Sequence, residues 1–137
     1  MKVNILVLLI ILTACKTSDL KSSNEMFTSG KYLVLTLNEK DFSEKDDYQI
    51  NIDTSQNSLN GKFDCNTFNV NYEIKEDNTI EFGYAISTKM YCEGKMALEN
   101  NFFKSLKSLK FFKFENDFLS FYNENEDLIL KLKKLKS

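Results

Sequence analysis

Apolar and polar positions alternate with a period of two over much of the chain, shift once to a helical period, and then return to two. Residues 31–37, KYLVLTL, form an apolar run rich in β-formers behind Ser29-Gly30 and predict a first strand. The charged segment 38–47, NEKDFSEKDD, has no clean period and reads as a loop. Tyr48, Ile50 and Ile52 alternate with polar residues, as in a half-buried strand. Residues 57–61 read as a turn into a strand around 62–65. Phe68, Val70, Tyr72 and Ile74 then alternate strictly with Asn69, Asn71 and Glu73, which is the clearest strand signal in the chain. Glu76-Asp77-Asn78 supplies the next turn, and Ile80, Phe82 and Tyr84 open another alternating strand.

After Cys92 the period changes. Met96, Glu99, Phe102, Phe103, Leu106 and Leu109 fall at helical spacing, with Lys104, Lys107 and Lys110 on the other face. This predicts an amphipathic helix over about residues 95–109, about four turns long. Its broad aromatic stripe is suited to covering a sheet face or plugging the mouth of a barrel. Strand spacing resumes at Phe112 and Phe114, turns at Glu115-Asn116-Asp117, and continues through Leu119 and Phe121. A second turn at 123–126 leads to a final strand over 127–132. About five strands, one helix and about three more strands, joined by hairpin-length links, predict an α+β fold with a mainly antiparallel sheet of about eight strands.

The N-terminus departs from this pattern. One Lys after Met1 precedes an unbroken apolar run from Ile5 to Leu12, which ends in Thr13-Ala14-Cys15. That is a secretory signal pattern, far short of the roughly 20 apolar residues of a membrane-spanning helix. Leu12-Thr13-Ala14-Cys15 resembles a bacterial lipobox, in which cleavage precedes a cysteine that is diacylglyceryl-modified and acylated. The expected organisation is a lipoprotein signal peptide at 1–14, a polar tether at 15–26 carried by lipidated Cys15, and one domain at 27–135. Lys16 stands where Asp would be the familiar inner-membrane retention signal, so the expected location is the outer membrane of a bacterial envelope.

Composition then narrows the chemistry. The chain has no His, which removes the usual general base, His-activated nucleophiles and the commonest metal ligand together. No catalytic residue, metal or cofactor is expected. A net charge of −2 argues against a nucleic-acid partner. The basic C-terminal stretch with Lys131, Lys133, Lys134 and Lys136 reads as a solvated strand end. The acidic groups at Asp41, Glu44, Asp46 and Asp47, and at Glu124, Glu126 and Asp127, lack EF-hand spacing and read as solvated loops.

Two blocks carry a family resemblance. Gly61, Cys65-Asn66, Phe68 and Tyr72 in GKFDCNTFNVNY match most of a G-x-x-G-C-N-x-F-x-G-x-Y block, with Asp64 in place of one glycine and the later glycine missing from Asn69 to Asn71. Thr88, Met90 and Cys92 in STKMYC match a T-x-M-x-C block, and Glu99, Phe102 and Leu106 match the helix that follows. Tyr32 stands where the pattern often has Trp. The chain thus resembles the META domain family, whose bacterial members are called HslJ-like heat-shock proteins. The resemblance implies a partly opened antiparallel barrel carrying one prominent helix. It also implies no established catalysis, and links to envelope stress, outer-membrane properties and drug tolerance. At the level of fold it extends to secretion pilots that hold a lipid chain in an opened barrel. The partner expected is therefore the membrane, together with an envelope protein or a hydrophobic ligand.

With Cys15 acylated, Cys65 and Cys92 remain as a pair in an oxidising compartment, where a disulfide is the economical reading and free structural thiols the alternative. Two thiols without His or a CxxC are too few for zinc. Ser87-Thr88-Lys89 reads as entry to the helix rather than a Ser–Lys nucleophile, with Thr88 bonding backbone in the turn. Asn66 reads as a turn former.

Overall fold

The computed structural model describes residues 25–136 except Asp64. The expected signal peptide, Cys15, most of the expected tether and the Asp64 departure lie outside the described residues. The strands are β1 (Gly30–Leu37), β2 (Lys40–Asp41), β3 (Gln49–Asp53), β4 (Ser58–Phe63), β5 (Asn66–Ile74), β6 (Ile80–Phe82), β7 (Ile86–Ser87), β8 (Phe111–Glu115), β9 (Phe118–Tyr122) and β10 (Leu128–Lys134). The helix α1 spans Met96–Leu106. Eight strands follow the order β6-β5-β4-β3-β1-β10-β9-β8, with β2 paired to β1 and β7 paired to β5. All the pairings are antiparallel. The two ends of the order meet where Thr79 bridges Phe111 and the Ile80 N–H donates to the Lys110 carbonyl at 2.8 Å. The sheet is therefore a nearly closed barrel.

Turn chemistry explains the hairpins. Asn38-Glu39 and Asn116-Asp117 all have positive φ and form two-residue links, β1 to β2 and β8 to β9. Asn and Asp tolerate the left-handed region that such tight links require. The segment read as a plain loop at 38–47 instead contains β2 and a short 3₁₀ turn at Glu44–Asp46, begun by Ser43. The turn expected at 57–61 lies earlier, because Ser58 to Gly61 pair in register with Asn71 to Phe68. Gly61 is a strand residue. A Cβ there would stand 2.8 Å from the Gln49 carbonyl oxygen, so the close approach of β3 excludes a side chain.

The interior is filled by side chains. Tyr32, Leu37, Ile50, Leu59, Phe63, Phe102, Phe121 and Leu132 are fully buried. α1 closes one end of the barrel, where the Phe102 ring stacks on Phe63 (4.3 Å) and meets Phe68 edge-on (5.0 Å). Phe27 closes the other end, against Tyr72 and Phe112. The helix is shorter than its apolar period. Beyond Leu106 the Lys110 N–H is taken by the Tyr122 carbonyl, and strand pairing replaces helical bonding while Leu109 stays buried. The last strand runs on to Lys134, pairing with Tyr32.

One expectation about orientation fails. Tyr84 is 88% exposed although it continues the alternation of Ile80 and Phe82. β5 advances three residues between its partners, from Tyr72 to Asn69, while the facing chain advances four, from Phe82 to Ile86. The extra residue is a bulge at 83–85, and a one-residue slip turns the following side chains over. Ile86 therefore sits opposite Asn69 on the outer face, 74% exposed.

Candidate functional site

The two sequence blocks meet at the helix-capped end of the barrel. Asn66 opens β5 and is buried, and its side chain forms the centre of a polar node. Its Oδ1 accepts from the Thr88 hydroxyl and from the Met90 N–H, each at 2.8 Å. Its Nδ2 donates to Glu99 Oε1 at 2.7 Å and to the Met90 carbonyl at 3.2 Å. The Asn66 backbone N–H donates to Glu99 Oε2 at 2.7 Å. Every hydrogen-bonding position of the amide side chain is thus filled, which also fixes which end of the amide is oxygen. Glu99 is only 2% exposed, and each of its oxygens accepts one N–H from Asn66. A buried acid is tolerated in an otherwise apolar helix stripe when its hydrogen bonds are complete.

Asn66 is a strand residue rather than a turn residue, but its side chain satisfies backbone groups as expected, those of Met90, and so binds segment 88–90 and α1 to the barrel. Thr88 does bond backbone: its hydroxyl accepts from the Thr67 N–H at 3.2 Å, and its own N–H donates to the Thr67 carbonyl. Met90 enters the node through its backbone alone, and its side chain is half exposed. Cys65 and Cys92 are joined by a disulfide, with Cα atoms 5.9 Å apart, directly beside the node. The same short segment is held twice, once covalently and once by the Asn66 amide.

Phe68 and Tyr72 line the core side of β5. The Tyr72 hydroxyl is buried and without a hydrogen-bond partner. Burial, with the charge of Asp53 and the Tyr32 phenol acting in the same direction, pushes its pKa up to about 12. Burial also raises that of Tyr32, against the hydrogen bond its hydroxyl donates to the Thr28 carbonyl.

On the outside of the node runs an exposed apolar edge: Tyr84, Ile86, Met90 and Tyr91. Between residues 87–91 and α1 lies a groove of about 350 Å³, with Met90, Met96, Asn100 and Phe103 among its walls. Sequence reading missed this edge. Gly83, just after Phe82, was the available signal that the strand breaks and its parity changes.

The acidic groups are dispersed into local structure. Asp41 accepts from the Thr36 hydroxyl, Asp46 accepts from the N–H and hydroxyl of Ser43, and Glu44 pairs with Lys133. Among the described residues, no group of three or more Cys, Asp or Glu is placed to hold a metal ion. Lys133 in that pair, Lys131 over the Phe118 ring and Lys134 at the Thr28 hydroxyl give the basic strand end structural partners.

The META domain family model matches residues 25–135. Similarity also extends to the NMR structure of a protein from Burkholderia xenovorans, with a TM-score of 0.59 and 16% identity over 80% of this chain and 84% of that one. That likeness concerns the fold. No curated protein matches the chain. The matched span takes in both blocks, the node they form and the helix that completes it, and the chain belongs to the META domain family.

Proposed function

We propose that this META domain is a non-enzymatic module of the bacterial cell envelope, anchored to the outer membrane by lipid on Cys15. It acts by presenting a binding surface. The observation that carries the surface reading is the completeness of the node: Asn66, Thr88 and Glu99 bond one another and backbone, leaving the exposed edge outside them. Polar groups bound in this way build a scaffold rather than a reaction centre. The anchor reading rests on the Leu12-Thr13-Ala14-Cys15 sequence. A carrier of a hydrophobic ligand would need the space inside the barrel that Phe102, Leu106 and Phe63 occupy, so that alternative has no observation in its favour.

Growth with an alkyne fatty acid, followed by conjugation to a dye, tests the anchor. The wild-type chain is expected to be labelled and to sediment with membranes. The Cys15→Ser chain is expected to lose the label. Equal labelling of both chains would remove the anchor from the reading.

A further inference from the structure

The exposed edge has a composition suited to one kind of partner. Tyr84, Ile86, Met90 and Tyr91 are exposed by 88, 74, 51 and 82%. They follow one another along a broken edge strand and the segment that the disulfide and Asn66 hold in place. The stretch of chain that carries them and leads into α1 is basic. Between Tyr84 and Lys107 the exposed charges are Lys89, Lys95, Lys104 and Lys107 against Glu93, since Glu99 is buried in the node. The Lys107 ammonium lies 5.7 Å from the centre of the Tyr84 ring. This excess of positive charge sits on a chain whose net charge is −2, so the rest of the molecule is correspondingly acidic.

We propose that this edge seats on an anionic lipid surface, with Tyr84, Ile86, Met90 and Tyr91 entering the headgroup region and the lysines meeting the phosphates. Tyrosine presents an apolar ring and a polar tip, which suits the boundary between acyl chains and water. Lysine stems run along such a boundary with their charge in water. The orientation is imposed by charge, because the acidic remainder of the domain is repelled by the same surface.

The proposal deepens the membrane-anchored reading and rests on it for proximity. Phe27, where the tether joins the domain, packs against Tyr72 and Phe112 rather than against α1. The stretch between Cys15 and Phe27 reaches about 40 Å when fully extended. A strand of the length of β5 covers about 30 Å. The tether therefore allows the domain to lie on its side with the edge against the bilayer.

The experiment removes the anchor, so that the two readings fail separately. The mature chain from residue 15, carrying Cys15→Ser and without the apolar run at residues 5–12, is mixed with vesicles of phosphatidylglycerol or of phosphatidylcholine and sedimented. The same is done in that background with Tyr84→Ser/Ile86→Ser/Tyr91→Ser and, separately, with Lys89→Gln/Lys95→Gln/Lys107→Gln. Unchanged far-ultraviolet circular dichroism and a cooperative urea transition verify that each variant is folded. The parent is expected to partition at least tenfold more into the anionic vesicles. The serine variant is expected to lose at least tenfold on both lipids, and the glutamine variant to lose the anionic preference. Equal partitioning of the parent and both variants would overturn the proposal. So would a parent that leaves the lipid in solution while the edge crosslinks to a protein in cells.

Discussion

Asn66 donates two hydrogen bonds to the Glu99 carboxylate across a buried contact between strand and helix. Glu99→Ala leaves two buried donors without acceptors, and urea unfolding should show a loss of roughly 3 kcal/mol. The coupling with Asn66→Ala in a double-mutant cycle should be at least about 1 kcal/mol, whereas additive losses would contradict the node. Tyr72 should behave in the opposite way. Its hydroxyl is buried without a partner, so Tyr72→Phe should leave stability unchanged or raise it by about 1 kcal/mol. Its raised pKa also has a sign. The folded state holds the phenol proton up to about pH 12, while the unfolded chain releases it near 10. Stability is therefore unaffected by this group below pH 10 and falls as pH rises from 10 to 12, by on the order of 2–3 kcal/mol. Unfolding of Tyr72→Phe followed across that range should have a shallower alkaline decline than wild type. At this scale the positions were legible and the roles less so. Glu99 stands out in the sequence as an acid in an apolar stripe, but its partner lies 33 residues away and only the fold brings Asn66 to it.

Among the elements, those with a long uninterrupted period were legible. β5 matches its alternation residue for residue, α1 begins where its period places it but ends at Leu106, and β9 takes in Leu119 and Phe121 as expected. What escaped was a local change of parity. The bulge at 83–85 costs one residue of register, and nothing in the apolar count of Ile80, Phe82 and Tyr84 records it. The same slip occurs in β10, where the register against β9 shifts between Leu128 and Leu130 and leaves Leu128 at the surface. The Cys65–Cys92 link holds the segment that follows the first bulge onto the β4–β5 hairpin. With the two cysteines 27 residues apart, reduction or Cys65→Ser/Cys92→Ser should lower unfolding stability by about 3–4 kcal/mol. A change below about 1 kcal/mol would mean that the Asn66 node alone fixes this segment.

At the scale of the whole molecule, a domain read from its periods stands beside an anchor proposed from the first fifteen residues. The barrel has both ends closed by its own aromatic side chains, and its exposed apolar edge lies on the segment that the node and disulfide hold against the helix-capped end. On the proposed reading, that arrangement turns function to the outer surface and to what an anchored tether would bring near. The most direct test is the intact mass of the chain extracted from membranes of the cells that make it. The expected mass is that of a chain beginning at Cys15, carrying a diacylglyceryl group and an acyl chain, and two hydrogens lighter than the reduced form because Cys65 and Cys92 are joined. An unacylated chain beginning elsewhere, recovered from the soluble fraction with two free thiols, would contradict the account.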